Sequence, residues 1–521
     1  VKSSSQSEAL RPDYDVIVCG AGSSGSVVAG RLAENPDVRV LLIEAGGGDE
    51  AETVLDPSQW PANLGSERDW AFQAEPNPHL GGRSLPMSMG KGLGGGSSIN
   101  VMVWARGHHR DWDFFAAETG DPDWGYKSVL GIYRDIENWR GTPDPHYRGT
   151  SGPVWVQPAP NPSPIASAML DAAADIGVPT FDHPNGAMME GPGGAAISDV
   201  LIRDGRRHSL FRAYVHPKMG RSNLTVLTRA TVRRVVIEGG RATGVEIQRG
   251  SAVETIRCRL EVVLSLGAMH TPKVLMHSGV GDEAELGRFD IPVKLHLPGV
   301  GQNLQDHLSF GCIWEYREPL APRNGGSEAT LYWKSRPELE APDLLFCQVE
   351  FPVPSDRTAA RGAPAHGWTM FAGLARPGSR GRVRLTGADP STPITIDADA
   401  LSDPADMDTA LSCVDLCREL GNAPAFKPFV KSEALPGPLK GEAKKQFLRE
   451  AAVTYWHQSC TAKMGRDHMS VVNGALEVYG VRGLRIADAS IMPRVTTGNT
   501  QAPCAVIGER AARMIGNAHA L

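Results

Sequence analysis

The unit from Asp15 to Glu44 constrains this chain more than any other stretch. An apolar strand, Asp15-Val16-Ile17-Val18-Cys19, runs into Gly20-Ala21-Gly22-Ser23-Ser24-Gly25. A helical run follows, and a second apolar strand, Val38 to Ile43, ends in Glu44. Gly20 allows a sharp exit from the strand, Gly22 has no Cβ to hold the backbone away from a phosphate, and Gly25 lets the helix pack closely on the strand. The helix N-terminus offers free N–H groups and a partial positive charge to a diphosphate. Glu44, about twenty residues past the turn, is placed to accept from ribose hydroxyls. A glycine cluster alone is a common turn. The strand before it, the helix after it and the acid at the second strand end together predict a dinucleotide site, without choosing between FAD and NAD.

The length of 521 residues suggests more than one domain or one large composite domain. Apolar residues at 41% and charged residues at 21% support a globular core, and a net charge of −6 with no basic, aromatic-interleaved stretch argues against nucleic-acid binding. Glycine (58) and proline (39) are spread through the chain, so they indicate many turns and not a disordered tract. The most apolar stretch, Val262 to Val280, is broken by His270, Lys273 and His277, so no membrane span is expected. Val1 to Pro12 is polar and reads as a flexible arm. The chain starts at Val1 and not Met, so a removed leader is one alternative. The eight cysteines form no CxxC pair, and Cys413 and Cys417, four apart on an expected helix, have no partners at metal spacing. Reduced structural thiols, no metal and a cytoplasmic location are the expectation.

Met89 to Asn100 is dense in glycine and leads into the apolar, helix-compatible run Val101 to Gly107, as expected of backbone packed on a flat ligand. Short strands are expected at Leu224–Leu227, Val232–Ile237, Thr243–Ile247 and Glu261–Ser265, with a helix over 271–277. Residues 311–453 carry alternating strands (343–350, 369–375, 382–385) and a helix near 404–421 but no nucleotide signature. They read as a substrate domain of antiparallel sheet with helices on one side. From Tyr455 onward a strand at 484–489 and a final helix from about Pro503 to Met514 are expected.

Separated segments then match one pattern: the fingerprint with Glu44; Gly90 to Asn100 with Arg106-Gly107; Gly267-Ala268 with Pro272 and Ser278-Gly279-Val280-Gly281; the block Pro298 to His307; and His457 with Asn499. Together, in order and over almost the whole chain, they resemble the glucose–methanol–choline family of FAD-dependent alcohol oxidoreductases. The resemblance implies an α/β plus α+β fold. A Rossmann-like FAD-binding domain would be assembled from 13–151, 220–310 and 454–521, and an inserted substrate-binding domain from 152–219 and 311–453. It implies that FAD contacts come from Gly20, Gly22, Ser24, Gly25, Glu44 and Ala45 at the adenosine end and from Val232 at the adenine. Trp70, Gly90, Gly94, Asn100, Val101, Met102 and Val103 would lie along the ribityl and isoalloxazine, with Asp488, Ala489, Thr500 and Gln501 from the C-terminal part. Some relatives tether FAD through a histidine where this chain has Ile99, so FAD is expected to be non-covalent. Met89 replaces the family's arginine, which bears only on a local surface contact.

The same resemblance gives His457 and Asn499 their roles. An alcohol's oxygen must lose its proton as its C–H bond breaks, so a base within hydrogen-bond reach is required. Imidazole titrates near neutrality, which suits His457. Asn499 can donate to the developing alkoxide, and the hydride then passes to flavin N5. Trp456 is expected to wall the substrate pocket. His307, His108 and His109 read as structural or surface residues. Oxidation of a primary or secondary alcohol to an aldehyde or ketone is the expected activity, with oxygen or another acceptor reoxidising the flavin. The alternative is a hydroxynitrile-type lyase on the same flavin scaffold.

Overall fold

The computed structural model describes Arg11 and residues 13–521, so the arm expected at 1–12 lies, apart from Arg11, outside the described residues. Two seven-stranded sheets organise the molecule. The strand Asp13–Cys19 is buried from its second residue on, and its β-branched run suits a parallel strand covered on both faces. It pairs in parallel with Val40–Ile43 on one side and with the second half of the long strand Ala252–Leu264 on the other. Leu224–Leu227 and Leu484–Ile486 extend the parallel part at its two sides. The first half of Ala252–Leu264 leaves this layer and pairs antiparallel with Arg241–Arg249, which pairs in turn with Thr231–Glu238. In the resulting register Cys19 stands beside Ile43 and Leu264, and Ile43 beside Leu227, so the carboxyl ends of these strands form one row. Ligands of parallel sheets bind at such a row.

The helix Ser23–Leu32 packs closely on two others because glycines meet backbone there. A Cβ at Gly508 of the C-terminal helix Gln501–His519 would lie 2.7 Å from Ser24 O, and one at Gly30 would lie 2.7 Å from Tyr214. The helix Leu210–Tyr214, expected in the substrate half, therefore shares this first core, as do Val200, Leu201 and Ile202.

The second sheet is antiparallel, in the order Val430–Leu435, Leu308–Tyr316, Gly367–Leu374, Leu344–Val349, Ala329–Trp333 and Gly194–Ile197, with Ala452–Thr454 also on Leu308–Tyr316. Alternation sorts its faces. Leu344, Phe346, Met370 and Ala372 pack with residues of the helices Pro164–Asp175 and Pro404–Gly421, among them Met169 and Cys413. Leu345, Val349 and Phe371 point the other way, into a smaller cluster with Met188, Met189 and Tyr455, and Val349 and Phe371 border a cavity there.

Several expected boundaries shift. The second strand begins at Val40, and the last helix spans Gln501–His519, which puts Pro503 at its third position. The run Val101–Gly107 is not helical. Met102 has a left-handed φ of 64°, and the run bonds to 199–201 through Trp104 N to Asp199 O and Leu201 N to Met102 O. Those backbone partners, and the positive φ of 83° at Gly107, hold it extended until the helix His109–Thr119 begins. No described helix is long and apolar enough to cross a membrane.

Candidate active site

One cavity of about 750 Å³ runs from the row of strand ends to the face of the second sheet turned away from the helices Pro164–Asp175 and Pro404–Gly421. At its first end Gly20 turns out of the strand with φ 100°, and a Cβ at Gly25 would lie 1.9 Å from Gly20 O. Nothing lies within 4 Å of a Cβ at Gly22, so this position opens on the cavity. The second glycine-rich turn docks on the first: Gly94 N donates to Ala21 O at 2.8 Å, and a Cβ at Gly95 would lie 2.7 Å from Gly22 Cα. Glu44 accepts from Ala21 N at 3.0 Å and Gly46 N at 2.9 Å. Burial lifts its carboxyl above the usual range, and those backbone N–H groups partly offset the rise. Asp488 accepts from Gly267 N (2.9 Å), Thr271 Oγ1 (2.6 Å) and Ser490 N (2.8 Å).

Two helices that begin at the cavity, Ser23–Leu32 and Gln501–His519, start without a side-chain cap, behind Gly22 and Thr500. Uncapped N–H groups facing a cavity lined by glycine fit an anionic, elongated cofactor. Of the residues expected on the cofactor, Gly20, Gly22, Ser24, Glu44, Ala45, Trp70, Gly90, Asn100, Val101, Val103, Val232, Asp488, Ala489, Thr500 and Gln501 line this space. Gly25, Gly94 and Met102 do not. Gly25 packs against the Gly20 carbonyl and Gly94 against the Ser98 hydroxyl, and Met102 is 1% exposed in the first core. Met89 is no surface contact, since it too lines the cavity. Asn100 is held in a small network. Its Oδ1 accepts from Met102 N (3.0 Å) and Arg207 Nη1 (2.8 Å), while its Nδ2 donates to Gln501 Oε1. Among the described residues no carboxylate pairs with Arg207. Its other partners are the carbonyls of Val54 and Ser97, Nη2 has none, and burial brings the guanidinium down to about 9.

At the opposite end His457 and Asn499 meet, with His457 Nε2 3.2 Å from Asn499 Nδ2. The other ring nitrogen, Nδ1, lies 2.8 Å from His307 Nδ1. Asp306 anchors the segment by accepting from His457 N at 2.8 Å and from Thr454 Oγ1. Burial pushes its carboxyl up to about 7. Burial also holds His457 well below the ordinary imidazole value, with His307 adding to the effect, and brings His307 itself to about 4. Both rings are therefore neutral at neutral pH. With the Asn499 amide N–H as donor, His457 Nε2 accepts and is bare. Its proton then sits on Nδ1 and is donated to His307. The unprotonated nitrogen is the one on the cavity side. Trp456 also lines the cavity, from a strained backbone with φ 60°.

Models of the GMC oxidoreductase family match residues 14–309 and 377–508. The chain belongs to the GMC oxidoreductases. It is 38% identical to an oxygen-dependent choline dehydrogenase of Pseudomonas savastanoi pv. phaseolicola over 96% of this chain and 93% of the relative, and 37% identical to one of Burkholderia thailandensis over 96% and 94%. The crystal structure of pyridoxine 4-oxidase from Mesorbium loti superimposes with a TM-score of 0.93 at 30% identity, covering 97% of this chain and all of that one. As a GMC oxidoreductase the protein is an FAD-using enzyme that acts on CH–OH donors.

The sequence reading missed His307, Asp306 and Arg207. The first two end the Pro298–His307 block, but nothing in the spacing couples them to a residue about 150 positions later. Arg207 lay in a segment without a motif.

Proposed function

We propose that this enzyme oxidises a primary or secondary alcohol to an aldehyde or ketone, with His457 as the base and Asn499 as the group that holds the reacting oxygen. The hydroxyl enters between them. His457 Nε2 takes its proton, the Nδ1–H bond to His307 keeps the ring in the accepting tautomer, and the Asn499 amide donates to the oxygen as negative charge develops. FAD, when bound, supplies the two-electron acceptor for the carbon. Gly20, Gly22, Ser24, Glu44 and Val232 hold its adenosine half, and Asn100, Asp488, Thr500 and Gln501 hold the rest. The cofactor is non-covalent, because Ile99 offers no nucleophile. The segments 13–151, 220–310 and 454–521, with 152–159 and 199–219 added, make the flavin half. The remainder of 152–219 and 311–453 shape the substrate half. Oxygen or another acceptor completes the cycle.

The observation that carries this reading is the His457–Asn499 pair at 3.2 Å on the same cavity as the two uncapped helix starts. Anaerobic addition of alcohols to the holoenzyme tests it. Bleaching of the flavin band in the parent enzyme, slowed in His457→Ala, is expected. Full-speed bleaching in His457→Ala excludes the mechanism.

A further inference from the structure

Beyond His457 and Asn499 the cavity is walled by the sheet face turned away from the helices Pro164–Asp175 and Pro404–Gly421. Val349 and Phe371 project from it, and Trp60, Phe351 and Tyr455 close the sides. Among the described residues only Glu44 and Asp488 bring carboxylates to the cavity, and both are engaged by backbone N–H groups outside this region: Glu44 by Ala21 and Gly46, Asp488 by Gly267 and Ser490. A permanent cation at the His457 end would find aromatic faces but no carboxylate on the cavity surface; Asp306 lies behind His457, engaged by its backbone N and by Thr454 and pushed up to about 7 by burial. Aromatic faces attract a quaternary ammonium, but without a carboxylate on the cavity surface they alone must offset the cost of taking the ion out of water.

The polar groups on this wall are neutral. Ser198 and Ser327 line the cavity at 1% and 3% exposure; Ser198 Oγ has no hydrogen-bond partner, and Ser327 Oγ has only the weak Cys347 thiol beside it. Ser198 N donates to Glu328 O at 2.8 Å, which brings the ends of Gly194–Ile197 and Ala329–Trp333 together, and Ser327 directly precedes Glu328. Buried hydroxyls without partners are costly unless a ligand satisfies them.

We propose that the substrate is an uncharged alcohol with an apolar aromatic or alkyl body and a second neutral hydrogen-bonding group that meets Ser198 and Ser327, and that the site disfavours quaternary ammonium alcohols such as choline. This rests on the alcohol-oxidation reading above. The test is anaerobic flavin reduction of the holoenzyme by two alcohols of one shape: choline, and 3,3-dimethylbutan-1-ol, in which carbon replaces the charged nitrogen. The neutral alcohol is expected to give a rate constant per concentration about tenfold or more above that of choline. Choline equal or better overturns the proposal while leaving alcohol oxidation intact. Failure of every alcohol to reduce the flavin overturns both. For the serines, the ratio of kcat/KM for benzene-1,4-dimethanol to that for benzyl alcohol is expected to fall about tenfold in Ser198→Ala and Ser327→Ala. A ratio that does not move removes their assigned role.

Discussion

The two ends of the cavity are made of different material. At Gly22 and Glu44 the surface is main chain: strand ends in register, two glycine turns locked together, and helix starts with bare N–H groups. At His457 it is side chains drawn from separate segments: His457, Asn499, Phe371 and Val349 each come from a different turn or strand, and the adjacent pair Asp306 and His307 stands behind His457. Main chain recognises what every dinucleotide shares. Side chains decide which alcohol fits and what becomes of its proton, and they can change without disturbing the first end.

That separation can be broken by mutation. The largest effect is expected at the side-chain end. His457→Ala should lower kcat by about 10²–10⁴-fold while the protein keeps its yellow colour. Absorbance spectra with steady-state rates check this, and loss of flavin together with activity would mean the ends are not independent. Asn499→Ala should cost about 10²–10³-fold in kcat, the usual loss for one donor to a developing oxyanion, again with flavin retained. At the main-chain end the reverse is expected. Gly25→Ala forces a Cβ to within 1.9 Å of Gly20 O, so it should lower thermal stability by about 1–3 kcal/mol and reduce flavin content in dialysis. The activity lost should follow the flavin lost. The smallest effect concerns pH. A base held well below 6.5 by burial is unprotonated through neutrality, so it loses function only as pH falls through its own depressed value. The kcat/KM for a neutral alcohol should therefore stay flat as pH drops through 6.5, and a break at 6.5 or above would show that His457 is more hydrated than its burial indicates.

The same contrast explains what could be read from the chain before its fold was known. The fingerprint was legible because its signal is local: Gly25 packs on Gly20 O, Gly22 leaves the turn open, and the helix starts between them at Ser23. The substrate-half strands were legible from alternation, as at 344–349 and 367–374, where every second residue faces the helices. His457 and Asn499 were legible only through the family pattern, since each alone is an ordinary turn or core residue. Periodicity misjudged Val101–Gly107, whose apolar run is fixed as an extended segment by bonds to residues about a hundred positions away. His307 and Asp306 stayed hidden for the same reason. A hydrogen bond between side chains 150 positions apart leaves no spacing rule in the sequence.

Arg207 carries a thermodynamic consequence. A guanidinium that is 2% exposed, held by neutral oxygens only and with one nitrogen unsatisfied, leaves the empty polypeptide with uncompensated positive potential beside Asn100. An anionic occupant relieves that burden, so loading and folding reinforce each other by mass action. Stripped of its prosthetic group, the chain should melt earlier and regain its melting point on titration with the missing nucleotide.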